Sequence, residues 1–168
     1  MKIPFRSVEI SSPETLRRFD APACFVFASP EKLRDAYGVS RVEPEIDFGQ
    51  YLVLAVHRGL CRTGGYGVSV TSVERSGSEV DVRLSLKDPE PGAMVIMILT
   101  YPSVHVLVPR KSLAGGEAGN PATEAGARAG TAVEAGSEAG TASAAESFVF
   151  SFSDPTGRIR SRVVGKLD

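Results

Sequence analysis

A strict alternation of apolar and polar residues near the middle of the chain is the pattern that most narrowly limits its fold. Every second position from residue 80 to residue 86 is aliphatic and the positions between them are polar; the aliphatic residues are Val80, Val82, Leu84 and Leu86. Side chains of a β-strand point alternately to its two faces, so this pattern predicts a strand with one buried and one solvent-exposed face.

Other apolar runs, separated by turn signals about every ten residues, predict a chain built mostly of short strands. The strand predicted at 50–57 is apolar on both faces and is therefore expected inside a sheet. An apolar run at 94–99 is interrupted by Tyr101-Pro102 and resumes as a strand at 104–108. The other predicted strands are 3–10, 24–27, 68–73 and 148–152.

One short helix is predicted from its capping residues. Ser29 is a suitable N-cap, Pro30 occupies the first helical position, and Gly38 is a natural C-terminal stop. The predicted fold class is therefore mainly β, a small antiparallel barrel or sandwich of short strands with one short helix at about 30–37.

The composition changes abruptly between residues 113 and 146, where alanine, glycine, glutamate, serine and threonine dominate. A nine-residue pattern that begins at Glu124 recurs from Glu134. Such a segment has little apolar surface to offset the entropy of ordering. The predicted organisation is a single β domain of residues 1–112 plus 147–154, a disordered Ala/Gly-rich insertion at 113–146, and a C-terminal tail or frayed strand at 155–168.

Composition and charge argue against several classes of partner. The 168 residues carry a net charge of −1, so no clustered positive field is available for nucleic acid. No apolar run reaches the ~20 residues of a membrane helix. The first residues lack a signal-peptide pattern, so the expected compartment is the cytoplasm, or the exterior if the true start lies upstream. Cys24 and Cys61 are expected to be buried free thiols rather than a disulfide.

Two adjacent glycines and a tyrosine mark the connection between the strands predicted at 50–57 and 68–73. This connection, the 62–66 loop, reads Arg-Thr-Gly-Gly-Tyr. Glycine adopts positive φ readily, so we expect a hairpin end of unusual backbone shape that presents the Tyr66 ring. The pattern suits either a tight turn with a core tyrosine or a rigid recognition loop.

Four short motifs follow one another between residues 45 and 109. They are Ile46-Asp47-Phe48, the central strand ending at Gly59, Thr63-Gly64-Gly65-Tyr66, and Asp88-Pro89-Glu90-Pro91-Gly92 with Leu99-Thr100-Tyr101-Pro102. Together they resemble the C-terminal domain of the protease complex subunit PrcB family, and residues 3–37 fit it more weakly. Arg62 departs from the proline usual in that family. The resemblance implies association with a partner protein rather than peptidase chemistry.

Residues suited to catalysis are few. A Cys61–His57 pair could in principle activate a thiolate. No residue stands out to orient the histidine, so a cysteine hydrolase is the least favoured alternative. His105 lies in an apolar strand and is expected to be a satisfied core histidine. Cysteine and histidine spacings typical of metal sites are absent, so no metal or cofactor is expected.

The favoured prediction is a non-enzymatic protein-binding module that assists or regulates a peptidase complex through the 62–66 loop. Its partner is expected to be another protein, because arginine and tyrosine are enriched at binding hot spots. The alternative is a small-molecule-binding β-barrel. The predicted contact residues are Arg62, Thr63, Gly64, Gly65, Tyr66, Pro91 and Tyr101.

Overall fold

Strands are the main regular elements of the structure, a computed structural model that describes residues 1–10, 19–41, 44–114 and 146–167. In chain order these residues form β1 Arg6–Val8, β2 Ala23–Phe27, α1 Pro30–Tyr37, β3 Tyr51–His57, β4 Gly67–Ser76, β5 Glu79–Lys87, β6 Ser103–Pro109, α2 Arg110–Ala114, β7 Glu146–Ser153 and β8 Arg160–Leu167.

Within the described ranges the strands form two four-stranded sheets packed as a sandwich, and these sheets do not close into a barrel. Sheet one has the order β1-β6-β3-β2 and sheet two the order β4-β5-β7-β8. The predicted fold class, mainly β with one short helix at 30–37, is confirmed. Ser29 accepts a hydrogen bond from the Lys32 amide at the start of α1, and Gly38 ends the helix with a φ of 63°.

One strand pair runs against the expected antiparallel arrangement. β5 and β7 are parallel, with Val80 opposite Phe150 and Val82 opposite Phe152. A parallel pair needs a long crossover connection, and here the chain passes through β6 in sheet one before it returns to sheet two. Local alternation predicts that a strand exists, but it carries no information about such a crossover.

The main core lies between the two sheets. The alternating residues of β5 face it, as do three phenylalanines of β7; these phenylalanines are Phe148, Phe150 and Phe152. From sheet one, Leu52, Leu54 and Val56 of β3 complete the packing. The intervening residues Val53 and Ala55 pack on the opposite face against α1. Both faces of β3 are therefore buried, as the sequence predicts for a strand inside a sheet.

Two local expectations are wrong. β3 and β4 lie in different sheets, so the 62–66 loop crosses between sheets and is not the end of a hairpin. The 94–99 segment forms no strand and lies on the surface. Its backbone contacts the 62–66 loop instead of a sheet ladder, through a hydrogen bond from the Gly64 amide to the Ile96 carbonyl at 2.8 Å.

Three further predictions concern the cysteines, the Ala/Gly-rich insertion and membrane helices. Cys24 and Cys61 are buried and free, as predicted. Residues 115–145 of the predicted insertion lie outside the described residues, and the division into domains stays a prediction. No helix within the described ranges has the length and apolar character needed to span a membrane.

Replacing Phe150 with alanine should lower the free energy of unfolding by about 3–5 kcal/mol, because the change leaves a cavity between the sheets. Phe150 is fully buried, whereas Val164 on β8 is 63% exposed. Val164→Ala is therefore the matched control and should change stability by less than about 1 kcal/mol. Urea unfolding measures both; equal effects would show that the core is not where the structure places it.

Candidate functional site

An arginine at the end of β3 anchors the crossing from sheet one to sheet two. The Arg58 guanidinium donates to the Gly67 carbonyl at 3.1 Å and to the Lys87 carbonyl at 2.6 Å. It also pairs with the Asp88 carboxylate, and only 9% of its side chain is exposed. One side chain from sheet one therefore fixes the start of β4 and the end of β5.

The Asp88 carboxylate extends this anchor to the turn between β7 and β8. Its second oxygen accepts from Arg158 at 2.7 Å. Hydrogen bonds from Arg58 and Arg158 hold the pKa of Asp88 below its ordinary value, so the carboxylate stays ionised at neutral pH. Asp88 begins the turn that follows β5 at residues 88–92, the 88–92 turn, and it is thus bound to two arginines from separate parts of the chain.

The Tyr66 ring lies against the same arginine. The Arg58 guanidinium carbon is 4.8 Å from the ring centroid, a cation–π distance. Tyr66 is half-buried and belongs to neither buried hydrophobic cluster. Its ring is therefore held in one place while part of it remains open to solvent.

Gly65 supplies the backbone conformation of the loop. Its φ is +86°, and a Cβ at this position would lie 3.0 Å from Pro89 Cβ and 3.2 Å from Val95 Cγ1. Gly64 does not adopt a positive φ. Of the two glycines, Gly65 is the one that the fold requires, both for its φ and for the close approach of the 88–92 turn.

Backbone hydrogen bonds join the 94–99 segment to the chain around the 62–66 loop. Cys61 and Thr100 exchange two bonds, each of 2.8 Å, just after the segment. The Thr100 hydroxyl donates to the Thr63 carbonyl at 2.7 Å. With the Gly64–Ile96 bond, these contacts hold the loop and the segment together as one surface.

The 94–99 segment is the largest feature that sequence reasoning missed. Five of its six side chains are at least 57% exposed; they are Met94, Ile96, Met97, Ile98 and Leu99. Contiguous apolar exposure of this kind marks interaction surfaces in soluble proteins. An uninterrupted apolar run usually indicates burial, so the signal in the sequence pointed toward the core.

The predicted contact residues do not all share this surface. Arg62 is exposed and forms no hydrogen bond or ion pair within the described part of the chain. Pro91 is exposed on the 88–92 turn. Tyr101 instead lines a cavity of about 520 Å³ at the edge where β1 ends beside β6. The other residues that line it are Ser7, Val8, Glu9, Ser103, Val104 and His105.

That cavity opens at an edge of the sandwich, and fully buried side chains fill the space between the sheets. The small-molecule alternative depended on the enclosed interior of a barrel, and the sheets do not close into one. Nothing in the packing of the core therefore favours that alternative.

Both histidines belong to a buried polar cluster where α1 packs on sheet one. The Tyr37 hydroxyl lies 2.9 Å from His57 Nε2 and 2.6 Å from His105 Nε2. Phe19 stacks on the His57 ring with centroids 4.0 Å apart. His105 is thus a hydrogen-bonded core histidine, and the Nε2 of His57 is engaged by the same hydroxyl.

The Cys61–His57 pair has none of the properties of an activated nucleophile. The Cys61 thiol donates to the Gly59 carbonyl at 3.9 Å, while His57 is bonded to Tyr37. Burial raises the pKa of the Cys61 thiol, which disfavours the thiolate. Burial also lowers the pKa of His57 to about 3, so the imidazole is a weak base. The geometry does not favour a hydrolase.

Comparison with known proteins finds one matching protein family. A family model described as PrcB C-terminal matches from the second residue of β3 to the last residue of β6. Residues 52–109 match the PrcB C-terminal family. The resemblance is thereby confirmed over residues 52–109, which include Arg58, the 62–66 loop, the 88–92 turn and the 94–99 segment. The weaker likeness at residues 3–37 lies outside the match. No curated protein and no solved structure matches the chain.

The stability of the protein should fall as the pH drops below about 6.5. Burial lowers the pKa of His57 to about 3 and that of His105 to about 4, against about 6.5 in the unfolded chain. The unfolded state therefore binds protons first, and stability is lost from pH 6.5 down to the folded-state values. These are the only two histidines in the chain.

Urea unfolding at pH 7 and pH 5 measures this effect, which should amount to about 4 kcal/mol for the two histidines together. A free energy of unfolding that stays constant over this interval would contradict the buried neutral cluster.

Gly65→Ala should destabilise the protein more than Gly77→Ala. Both glycines have positive φ, so both variants carry the backbone strain of about 1–2 kcal/mol. A Cβ at Gly77 has no neighbour within 4 Å, whereas a Cβ at Gly65 meets Pro89 and Val95. The difference between the variants in chemical denaturation isolates the steric contact, and equal losses would show that the 88–92 turn does not press on the loop.

Proposed function

We propose that this protein is a non-enzymatic protein-binding module that assists or regulates a peptidase complex. The contact surface of the proposal is centred on the 62–66 loop and the exposed 88–92 turn. The main support for the proposal is that the 62–66 loop is hydrogen-bonded to the exposed apolar 94–99 segment and to Thr100 just after it. The bonds are Gly64–Ile96 and Thr63–Thr100.

Rigidity supports a binding role for the loop. A preorganised surface loses little conformational entropy when it binds, so more of the contact energy appears as affinity. Arg58 holds Tyr66 by a cation–π contact, and Gly65 allows Pro89 to pack closely against the loop. Arg62 remains exposed and is able to pair with a carboxylate of the partner.

The peptidase association in the proposal comes from the family match. The matched family is named for a subunit of a protease complex, and the matched residues contain the whole candidate surface. Arg158, which binds Asp88 from the turn between β7 and β8, lies outside the match. The chemistry of the described residues agrees with an accessory role, because His57 and Cys61 are engaged in buried hydrogen bonds.

Arg62→Ala should abolish or weaken capture of the partner without changing stability. The tagged wild-type protein is purified from its source cells, and each co-purified protein is quantified against the variant. Loss of one exposed arginine at a binding centre costs about 1–2 kcal/mol, which weakens binding about 5- to 30-fold. Tyr66→Ala should act in the same direction.

Arg41→Ala, a change to another exposed arginine outside the PrcB match, is the control for charge. A protein retained by the control and lost from Arg62→Ala would support the proposed surface. If Arg62→Ala and Tyr66→Ala both capture every protein that the wild type captures, the 62–66 loop is not the contact site.

A further inference from the structure

The 94–99 segment projects from the surface as an apolar ridge. Met94 is as exposed as in an extended chain, at 103%, and Met97 and Ile96 follow at 82% and 75%. Side chains this exposed project outward and do not line a groove. The ridge contains no charged residue. Left in water, such a surface carries an unfavourable hydration free energy that burial in a partner would remove.

The base of the ridge is fixed while its side chains are free. Hydrogen bonds at Ile96 and Thr100 hold the backbone against the neighbouring loop, and Val95 packs beside Gly65. Methionine and leucine side chains adapt to the shape of a receiving surface because they have several rotatable bonds. A fixed backbone with adaptable apolar side chains is suited to insertion into a preformed cleft.

We propose that the 94–99 ridge inserts into an apolar cleft of a partner polypeptide, and that a carboxylate at the rim of the cleft pairs with Arg62. This inference rests on the proposed function, since it specifies the chemistry of the same partner. Arg62 lies beside the ridge through the Gly64–Ile96 contact, and its guanidinium has no ion pair among the described residues. Arginine recognises carboxylates by paired hydrogen bonds.

The charges beside the ridge favour a protein over a membrane surface. Attachment to anionic lipid needs a cluster of basic residues next to the inserted side chains. The adjoining 88–92 turn supplies the exposed Glu90 instead, and its Asp88 is already paired with Arg58 and Arg158. The ridge also lacks tryptophan and tyrosine, the residues enriched where proteins enter a bilayer interface.

A second copy of the chain is a poor receptor for the ridge. The cavity of about 520 Å³ beside β6 is lined partly by serine and glutamate side chains, which would be left without water or partners by an aliphatic ridge.

The distribution of methionine in the chain provides a direct test. The three methionines are Met1, Met94 and Met97, so a photoreactive methionine analogue places two of its three probes on the ridge. We expect irradiation of the full chain in its source cells to crosslink Met94 and Met97 to a protein whose capture depends on Arg62. Mass spectrometry should locate the crosslinked residues in one apolar cleft with an aspartate or glutamate at its rim.

Two double variants distinguish loss of the crosslinking probe from loss of the apolar contact. The Met94→Leu/Met97→Leu variant keeps the apolar surface and should retain binding while losing the crosslinks from the ridge. The Met94→Ser/Met97→Ser variant should weaken binding of the captured protein about tenfold or more. Val164→Ser, at a 63% exposed position on β8, is the matched control and should bind as the wild type does.

Other outcomes would overturn the inference. They are crosslinks from Met1 only, crosslinks to a second copy of the chain, or ridge-dependent binding to vesicles of phosphatidylcholine and phosphatidylglycerol. Unchanged affinity of the Met94→Ser/Met97→Ser variant would do the same. If Arg62→Ala and Tyr66→Ala still weaken capture in that case, the proposed function stands and the ridge alone is excluded. If no capture depends on any of these residues, both fail.

Discussion

The guanidinium of Arg58 is the interaction on which the candidate site depends. It extends from the end of β3 in sheet one to two backbone carbonyls of sheet two, and it pairs with Asp88. Loss of Asp88 would leave a nearly buried guanidinium without its counter-charge, which is destabilising. Because Asp88 also binds Arg158, the anchor reaches the β7–β8 turn and fixes the position from which the 62–66 loop and the 88–92 turn extend.

The surface built on this anchor combines fixed and adaptable parts. Tyr66 and Gly65 are held by close contacts, whereas the side chains of the 94–99 ridge are exposed on a backbone that is itself hydrogen-bonded. Interfaces commonly combine a few well-positioned anchors with apolar area that excludes water around them. In the proposed function, the fixed residues would serve as the anchors and the exposed ridge would supply the surrounding apolar area.

The two histidines, the side chains best suited to acid–base chemistry, form buried hydrogen bonds that stabilise the fold. Tyr37 bridges His57 and His105 beneath α1, and the aromatic ring of Phe19 shields the cluster from one side. Burial keeps both imidazoles neutral, so each can share a hydrogen bond with the hydroxyl without the penalty of an enclosed charge. The same burial makes the cluster sensitive to acid and unsuited to general-base chemistry at neutral pH.

The strands, the interior position of β3 and the helix at 30–37 follow from the sequence, because alternation, uninterrupted apolar runs and capping residues are local properties. Contacts between distant residues were decided only by the tertiary structure, among them the parallel pairing of β5 with β7 and the bond from Tyr37 to His105, 68 positions apart. The 94–99 segment shows the limit most clearly. An apolar run indicates that burial of these side chains is favourable. Only the tertiary structure shows whether they are buried in the protein's own core or exposed on its surface.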